Sequence, residues 1–268
     1  MNGEPAKICL VTGGSSGIGR AVCQCLLERG CSVYEFSRRE GGAPEGVCHF
    51  SVDVTDEAAV NAAVEKILSE EGHIDVLVNN AGFGISGAVE FTPMEEARRQ
   101  MDVNFFGMVT VTRAVLGSMR EHGSGRVVNV SSVAAPAAIP FQTFYSCSKA
   151  AINDYTLALA NEVRPYGVSV CAVEPGDIRT GFTDARRKNP DGDDVYGGRI
   201  ARSVAGMEKD ERGGMAPEKA GQMIASIALR KNSKPVIALG FSYKVLCVLI
   251  KLLPVRLVNW LVGLLYAK

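Results

Sequence analysis

KICLVTGGSSGIGR, residues 7–20, decides how the rest of the chain is read. KICLVT is apolar at successive positions, the pattern of a strand buried on both faces. It runs into a glycine turn at Gly13–Gly19. From Ile18 to Arg29 the apolar positions take a helical period, and Gly30 supplies the stop. Strand, glycine turn and helix in this order open a βαβ unit.

Outward from that unit, β-branched runs alternate with longer helical patterns. The candidate strands are Ser32–Phe36, Val47–Val52, Asp75–Val78, Arg126–Val130, Val168–Val173 and Pro235–Leu239. The candidate helices are Glu57–Glu71, Met94–His122, Phe144–Arg164 and Ala216–Leu229. Apolar strands joined by helices predict a parallel sheet covered on both sides. Right-handed crossovers make it a single-domain, doubly wound α/β fold of Rossmann type over residues 1–240. Thr92-Pro93-Met94-Glu95 reads as a capped helix start. The charged, Gly-rich stretch 183–214 reads as a surface excursion with one short helix at most, a lid candidate.

Composition narrows the function. In 268 residues, 29 basic side chains balance 29 acidic ones, which argues against a nucleic-acid partner. The eight cysteines are scattered, with no CxxC pair, and the start of the chain has no basic segment leading into a long apolar run. Reduced thiols in a cytoplasmic protein are the expectation. With only three histidines, no metal site is expected.

The glycine turn after the first strand suits a dinucleotide. Glycines let the backbone approach a pyrophosphate, and the helix N-terminus offers free N–H groups. The spacing G-x-x-x-G-x-G also matches a plain turn. Gly13-x-Ser15-x-Gly17 formally matches a hydrolase nucleophile elbow, but no histidine follows His122 to complete a triad. A P-loop fails because Arg20 and Ala21 follow Gly19. At the end of the second strand stand Ser37, Arg38 and Arg39 rather than an acid. Arg38 can pair with a 2′-phosphate, which points to NADP(H); a solvated basic turn is the plainer reading. Asp53 is a candidate acceptor for the adenine amino group, or a turn residue.

Tyr145 and Lys149 lie four apart at a helix start, so they share a face. An ammonium near a phenol favours the phenolate. Ser131-Ser132 follows one strand, Asn79-Asn80-Ala81-Gly82 follows another, and Asn104 is in a neighbouring helix. All would fall near the carboxyl ends of strands, where open α/β sheets bind ligands.

These motifs together resemble the classical short-chain dehydrogenase/reductase family, and the hydroxysteroid and retinol dehydrogenase branch in particular. The matching residues are TGGSSGIG at 12–19, Asp53-Val54, NNAG at 79–82, Asn104, Ser132, YSCSK at 145–149 and PGDIRT at 175–180. The resemblance implies that Tyr145 is the acid–base group and that Lys149 lowers its pKa and holds the nicotinamide ribose. It implies that Ser132 binds the substrate carbonyl, with Ser131 the weaker candidate, and that Asn104 anchors a water in a proton relay. It assigns Gly13, Gly17 and Gly19 to the pyrophosphate and Asn80 to the adenine ribose. Pro175, Gly176, Ile178 and Thr180 would hold the carboxamide end. Ser15, Ser16, Ile18, Ser37, Val54, Ala81 and Gly82 complete the expected cofactor site. Ser15 and Ser16 stand where some NADP-preferring members carry a second basic residue. The resemblance also implies a homodimer or homotetramer.

Phe83, Ile85, Val133, Ala134, Phe141, Phe144, Ile178 and Phe182 are expected near the carbonyl, or else in the core. An apolar pocket with one polar end suits a hydroxysteroid or its ketone. Retinal and acyl-linked ketones (acyl-dihydroxyacetone phosphate or β-ketoacyl) are alternatives. The acyl-linked ones would call on Arg186, Arg187 and Lys188 at the mouth. A non-catalytic dinucleotide-binding regulator is the alternative of another class. Residues 241–268 form a separate amphipathic extension. Its apolar runs are broken by Lys251, Pro254 and Arg256, which predicts two short helices. They would lie on a membrane surface or bury against the fold or a partner subunit.

Overall fold

Strands apolar on both faces need helices on both faces, and the chain supplies them. The computed structural model describes residues 6–231 and 234–267. Part of the N-terminal stretch read for a leader, and Lys268, lie outside the described residues.

In chain order the elements are β1 (Ile8–Thr12), α1 (Gly17–Leu27), β2 (Ser32–Ser37), β3 (Cys48–Ser51), α2 (Glu57–Glu71), β4 (Val76–Asn79), β5 (Ile85–Ser86), α3 (Met94–Met101) and α4 (Gly107–His122). There follow β6 (Gly125–Val130), α5 (Thr143–Val163), β7 (Val168–Glu174), α6 (Phe182–Ala185), β8 (Arg187–Lys188), α7 (Arg199–Arg212), α8 (Pro217–Ala228), β9 (Val236–Ala238), α9 (Phe241–Leu252) and α10 (Val255–Tyr266). Seven strands form one sheet in the order β3-β2-β1-β4-β6-β7-β9, every pairing parallel. The chain winds outward from β1 to β3, then returns to β4 and winds the other way. The reversal between β1 and β4 opens a crevice at the strands' carboxyl ends.

One face of the sheet packs Leu10, Phe36 and Leu77 against Val60, Ile67, Val111 and Leu159 of α2, α4 and α5. The other packs Cys9, Val11 and Val128 against Val22 and Leu26 of α1 and Ile224 of α8. Below the crevice, Asn79 donates to Thr112 Oγ1 and to Asn129 Oδ1, both at 2.9 Å. Asn129 donates in turn to Thr156 Oγ1 at 2.9 Å. All four side chains are buried. This chain fixes β4, β6, α4 and α5 beneath the site, because an unpaired buried amide costs more than a neutral hydrogen bond returns.

Three expectations need correction. The predicted helix 94–122 is two helices joined by a π-helical turn, Asp102–Phe106, that buries Asn104. Thr92 does not cap α3: its hydroxyl donates to the Ala88 carbonyl at 2.7 Å, and Pro93 precedes the helix. The stretch 183–214 is more ordered than its composition suggested. β8 pairs with β5, and α7 buries Ile200, Ser203 and Met207. That stripe is only one residue wide per turn among charges, so its helical period is faint. The C-terminal extension forms two helices, as its broken apolar runs predict.

Candidate active site

A cleft of about 940 Å³ opens at the β1/β4 switch point. Its wall begins at the glycine turn, with Gly13, Ser15, Ser16, Gly17 and Ile18. Ser16 makes no side-chain capping bond to α1, and the first turn carries no acid. The free N–H groups of the helix start therefore face the cleft without a built-in anion. Gly19 stands behind this wall rather than in it. A Cβ there would lie 2.2 Å from the Gly13 carbonyl oxygen and 2.5 Å from Asn80 Nδ2. The residue lets α1 approach the loop.

Asn80 belongs to the same arrangement. Its side-chain amide donates to the carbonyls of Thr12 at 3.0 Å and Gly13 at 3.3 Å. The backbone N–H groups of Asn80 and Ala81 both donate to Thr12 Oγ1 at 3.0 Å. These bonds lock the ends of β1 and β4 together and hold the glycine turn open.

Farther along, Ser37, Arg38, Arg39, Asp53 and Val54 line the cleft. Arg38 is largely exposed, with its guanidinium 3.9 Å from Asp53. One oxygen of Asp53 accepts from the Thr55 N–H at 3.0 Å and from the Thr55 hydroxyl at 2.8 Å. Asp53 thus makes the turn bonds of the plainer reading with one oxygen, while the other faces Arg38 in the wall of the cleft. A dinucleotide fits this run: an open helix N-terminus, a glycine turn held for close approach, and an exposed cation at the far end.

At the other end, Ser132, Tyr145 and Lys149 meet. The Ser132 hydroxyl and the Tyr145 phenol share one wall of the cleft, and the Lys149 ammonium lies 5.6 Å from the centre of the Tyr145 ring. Lys149 donates to the Val130 carbonyl at 2.8 Å. Burial pushes Lys149 down to about 8. Burial pushes Tyr145 up to about 12, against the lowering effect of the nearby Ser132 hydroxyl, and the charges of Glu211 and Asp177 add to the rise. The phenol is thus held protonated, as a proton donor must be. Ser131 donates to the backbone carbonyl of Lys149 at 2.9 Å, so it ties β6 to α5.

Asn104, like Gly19, is not in the wall. Its side-chain oxygen accepts from the Phe83 N–H at 3.0 Å. Its amide donates to the Phe83 carbonyl at 3.0 Å and to Ser148 Oγ at 3.1 Å. Asn104 clamps the loop after β4 to α5, and the π turn brings its side chain into reach.

Ala81, Gly82, Pro175, Gly176, Ile178 and Thr180 all line the cleft. Phe83, Val133, Ala134 and Phe182 do so on the substrate side, and the rings of Tyr145 and Phe182 lie 5.8 Å apart. Ile85, Phe141 and Phe144 are not in its wall. Ile85 is buried in β5 with its N–H bonded to Gln100 Oε1 at 2.9 Å. Phe141 takes a left-handed φ of 58° and turns into a small core with Ala88, Ile200 and Met207. The sequence reading missed Asp177, Met207, Glu211 and Tyr266, which also line the wall, with Arg99, Ile139 and Gln142. The i, i+4 spacing of Met207 and Glu211 on α7 is the one signal that could have found them. The three mouth cations are already paired: Arg186 with Glu211, Arg187 with Glu96 and Lys188 with Glu208.

A family model described as short chain dehydrogenase matches residues 7–191. The chain belongs to that family. A short-chain dehydrogenase of Streptomyces avermitilis has the same fold, with a TM-score of 0.83 and 32% identity over 96% of this chain and 97% of that one. Among curated members, the 3-ketodihydrosphingosine reductase of Bacteroides thetaiotaomicron is 45% identical over 84% of this chain and 85% of its own length. The NADPH-dependent 3-dehydrocapnine reductase of Ornithobacterium rhinotracheale is 35% identical over 79% and 80%. This short-chain dehydrogenase is accordingly an oxidoreductase of carbonyl and alcohol groups that uses a nicotinamide dinucleotide.

Proposed function

We propose that the chain is an NADP(H)-dependent reductase of a long-chain ketone that carries an amino group beside the carbonyl, the chemistry of 3-ketodihydrosphingosine. The observation that carries this reading is a carboxylate, Asp177, in the cleft wall that also holds Tyr145 and Phe182, where the other carboxylate at that end, Glu211, is already engaged by Arg186 and Thr183. A substrate ammonium beside the carbonyl would find its counter-charge there. The two relatives just named support the same class. Arg38 supports NADP(H) over NAD.

The bound nicotinamide supplies or accepts the hydride. The chain's own residues do the rest: Ser132 donates to the carbonyl oxygen, and Tyr145 hands over its proton as that oxygen becomes an alkoxide. Lys149 stabilises the phenolate left behind and would hold the cofactor's ribose. Asn104 positions the loop that carries Phe83.

A hydroxysteroid or retinal would also suit Phe83, Val133 and Phe182, but neither calls for a carboxylate in the wall. An acyl phosphate ester would need a free cation, and Arg186, Arg187 and Lys188 each have an acidic partner. The test is NADPH consumption with a long-chain 2-amino-3-ketone, the matched ketone lacking the amine, a 3-ketosteroid and retinal. The amino ketone should give the highest kcat/KM, by about tenfold or more over its desamino partner, the scale of one charge-assisted hydrogen bond. Asp177→Asn should erase that preference. A steroid as best substrate, or a preference untouched by Asp177→Asn, would reject the substrate assignment.

A further inference from the structure

The C-terminal helices leave a broad apolar surface uncovered. Phe241, Leu252, Val255 and Leu265 are each at least 74% exposed, and Trp260 is 59% exposed. Cys247 is the one fully buried side chain in α9, and α10 has none. Large apolar side chains concentrated on one exposed segment mark a contact surface for a membrane or a partner.

Charge says which. Residues 241–267 contain Lys244, Lys251 and Arg256 and no acid, in a chain whose charges otherwise balance. All three cations are exposed, and none has an ion-pair partner among the described residues. Apolar side chains bordered by unpaired cations match the boundary of an anionic bilayer. There the stems of Lys and Arg lie along the apolar face and their heads meet lipid phosphates. Crossing the bilayer is a different matter. Each helix has 12 residues, about 18 Å at 1.5 Å per residue, against a hydrocarbon core of about 30 Å. Pro254 separates the two, and among the described residues no helix is long and apolar enough to span.

The position of these helices ties the surface to the site. Tyr266 of α10 lines the substrate end of the cleft. Arg199 of α7 donates through Nε to the Ala267 carbonyl at 2.8 Å. Tyr243 of α9 lies against Gly176, where a Cβ would meet its ring at 2.0 Å. The same phenol donates to Asp177 Oδ2 at 2.6 Å and accepts from the Asp177 N–H at 3.0 Å. The helices that carry the apolar surface therefore also frame the pocket mouth and brace the loop after β7.

We propose that α9 and α10 seat the protein on an anionic lipid surface, with the mouth of the cleft at the bilayer boundary, so that an amphiphilic substrate enters from lipid. The seating does not depend on which ketone is reduced.

The full chain is mixed with vesicles of phosphatidylcholine and phosphatidylglycerol in equal parts, or of phosphatidylcholine alone, and sedimented at low salt. Binding to the anionic vesicles should exceed binding to the neutral ones by about tenfold or more and fall as salt is raised. Two variants at exposed positions separate the components: Lys244→Glu/Lys251→Glu/Arg256→Glu should lose the anionic preference, and Leu252→Glu/Val255→Glu should lose binding to both vesicles. Far-UV circular dichroism and the Tm verify that both fold. A full-length chain that stays in the supernatant with anionic vesicles overturns the proposal. So does an oligomer, measured by light scattering, that Leu252→Glu/Val255→Glu dissociates, because the surface then belongs to a second copy.

Discussion

Replacing Lys149 with Met should move stability and activity in opposite directions. The ammonium stands 5.6 Å from the centre of the Tyr145 ring. At an effective dielectric of about 20, a unit charge about 6 Å from the phenolate charge favours it by about 3 kcal/mol, which is about two pK units. Without it, the phenolate is about 100-fold scarcer at a given pH, and alcohol oxidation near neutrality should slow by that factor or more. The stability term has the other sign. Burial lowers Lys149 from its ordinary 10.5 to about 8. A group with a lowered folded pKa that is charged when protonated binds fewer protons folded than unfolded between those values. Its cost is full below pH 8 and vanishes as the pH rises towards 10.5. That cost is about 3 kcal/mol, and removing it is offset by about 1–3 kcal/mol for the lost hydrogen bond to Val130. The net change is roughly zero to 2 kcal/mol of stabilisation, a Tm gain of a few degrees at most. Thermal unfolding of the cofactor-free protein at pH 7 and pH 10 reads this directly: any advantage of the variant should shrink at the higher pH. Turnover within about fivefold of wild type, or a growing advantage at pH 10, would refute the reasoning.

Tyr145→Phe removes the transferable proton and should lower kcat by about 1000-fold, while NADPH titration by fluorescence shows nearly unchanged binding. With Tyr145 pushed up to about 12, ketone reduction should hold through neutral pH and fall only as the phenol ionises, whereas oxidation should climb with pH; initial rates across pH check both limbs. Arg38→Asp should cut the NADPH/NADH ratio of kcat/KM by about 100-fold, and an unchanged ratio would dismiss Arg38 as the phosphate partner. Gly19→Ala drives a Cβ against the Gly13 carbonyl and Asn80, so it should cost about 1–3 kcal/mol in denaturant unfolding and weaken NADPH binding with it.

The parts of the site that were legible in the sequence are those fixed locally. The glycine turn, the Tyr145/Lys149 pair and Ser132 sit at strand ends or helix starts, and their spacing encodes where they go. Gly19 and Asn104 show the limit of that logic. Both occur in the motifs, but the motif does not say that one acts by letting α1 approach the loop and the other by bonding a backbone two elements away. Phe141 shows it from the other side. Its hydrophobicity suits a pocket, but a left-handed backbone turns it into a neighbouring core. Asp177 and Glu211 were missed because a charged side chain in a loop or on a charged helix reads as solvated. Only the packing of α7 and α9 against the cleft gives them a wall to stand in.

That division has a mechanical consequence. The cofactor half of the cleft hangs on the sheet, through the β1–β4 lock at Thr12 and Asn80 and the buried Asn79–Asn129 chain. The substrate half hangs on a few side-chain ties beyond β7: Arg186 to Glu211, Thr183 to Glu211 at 2.7 Å, Tyr243 to Asp177, and Arg199 to Ala267. Tyr145 stands between them on α5, which is fastened to β6 through Ser131 and Lys149 and to the β4 loop through Asn104 and Ser148. None of these fastenings runs through α7, α9 or α10. Gln142, at the start of α5, does donate to Met207 Sδ of α7 at 2.8 Å, so it is substitutions on α9 and α10 that can reshape the pocket mouth, or its attachment to lipid, without displacing the proton donor. The Gly176–Asp177 loop is the exception, since it touches the cofactor end and Tyr243 at once. If lipid seating reaches the chemistry, it does so through this contact.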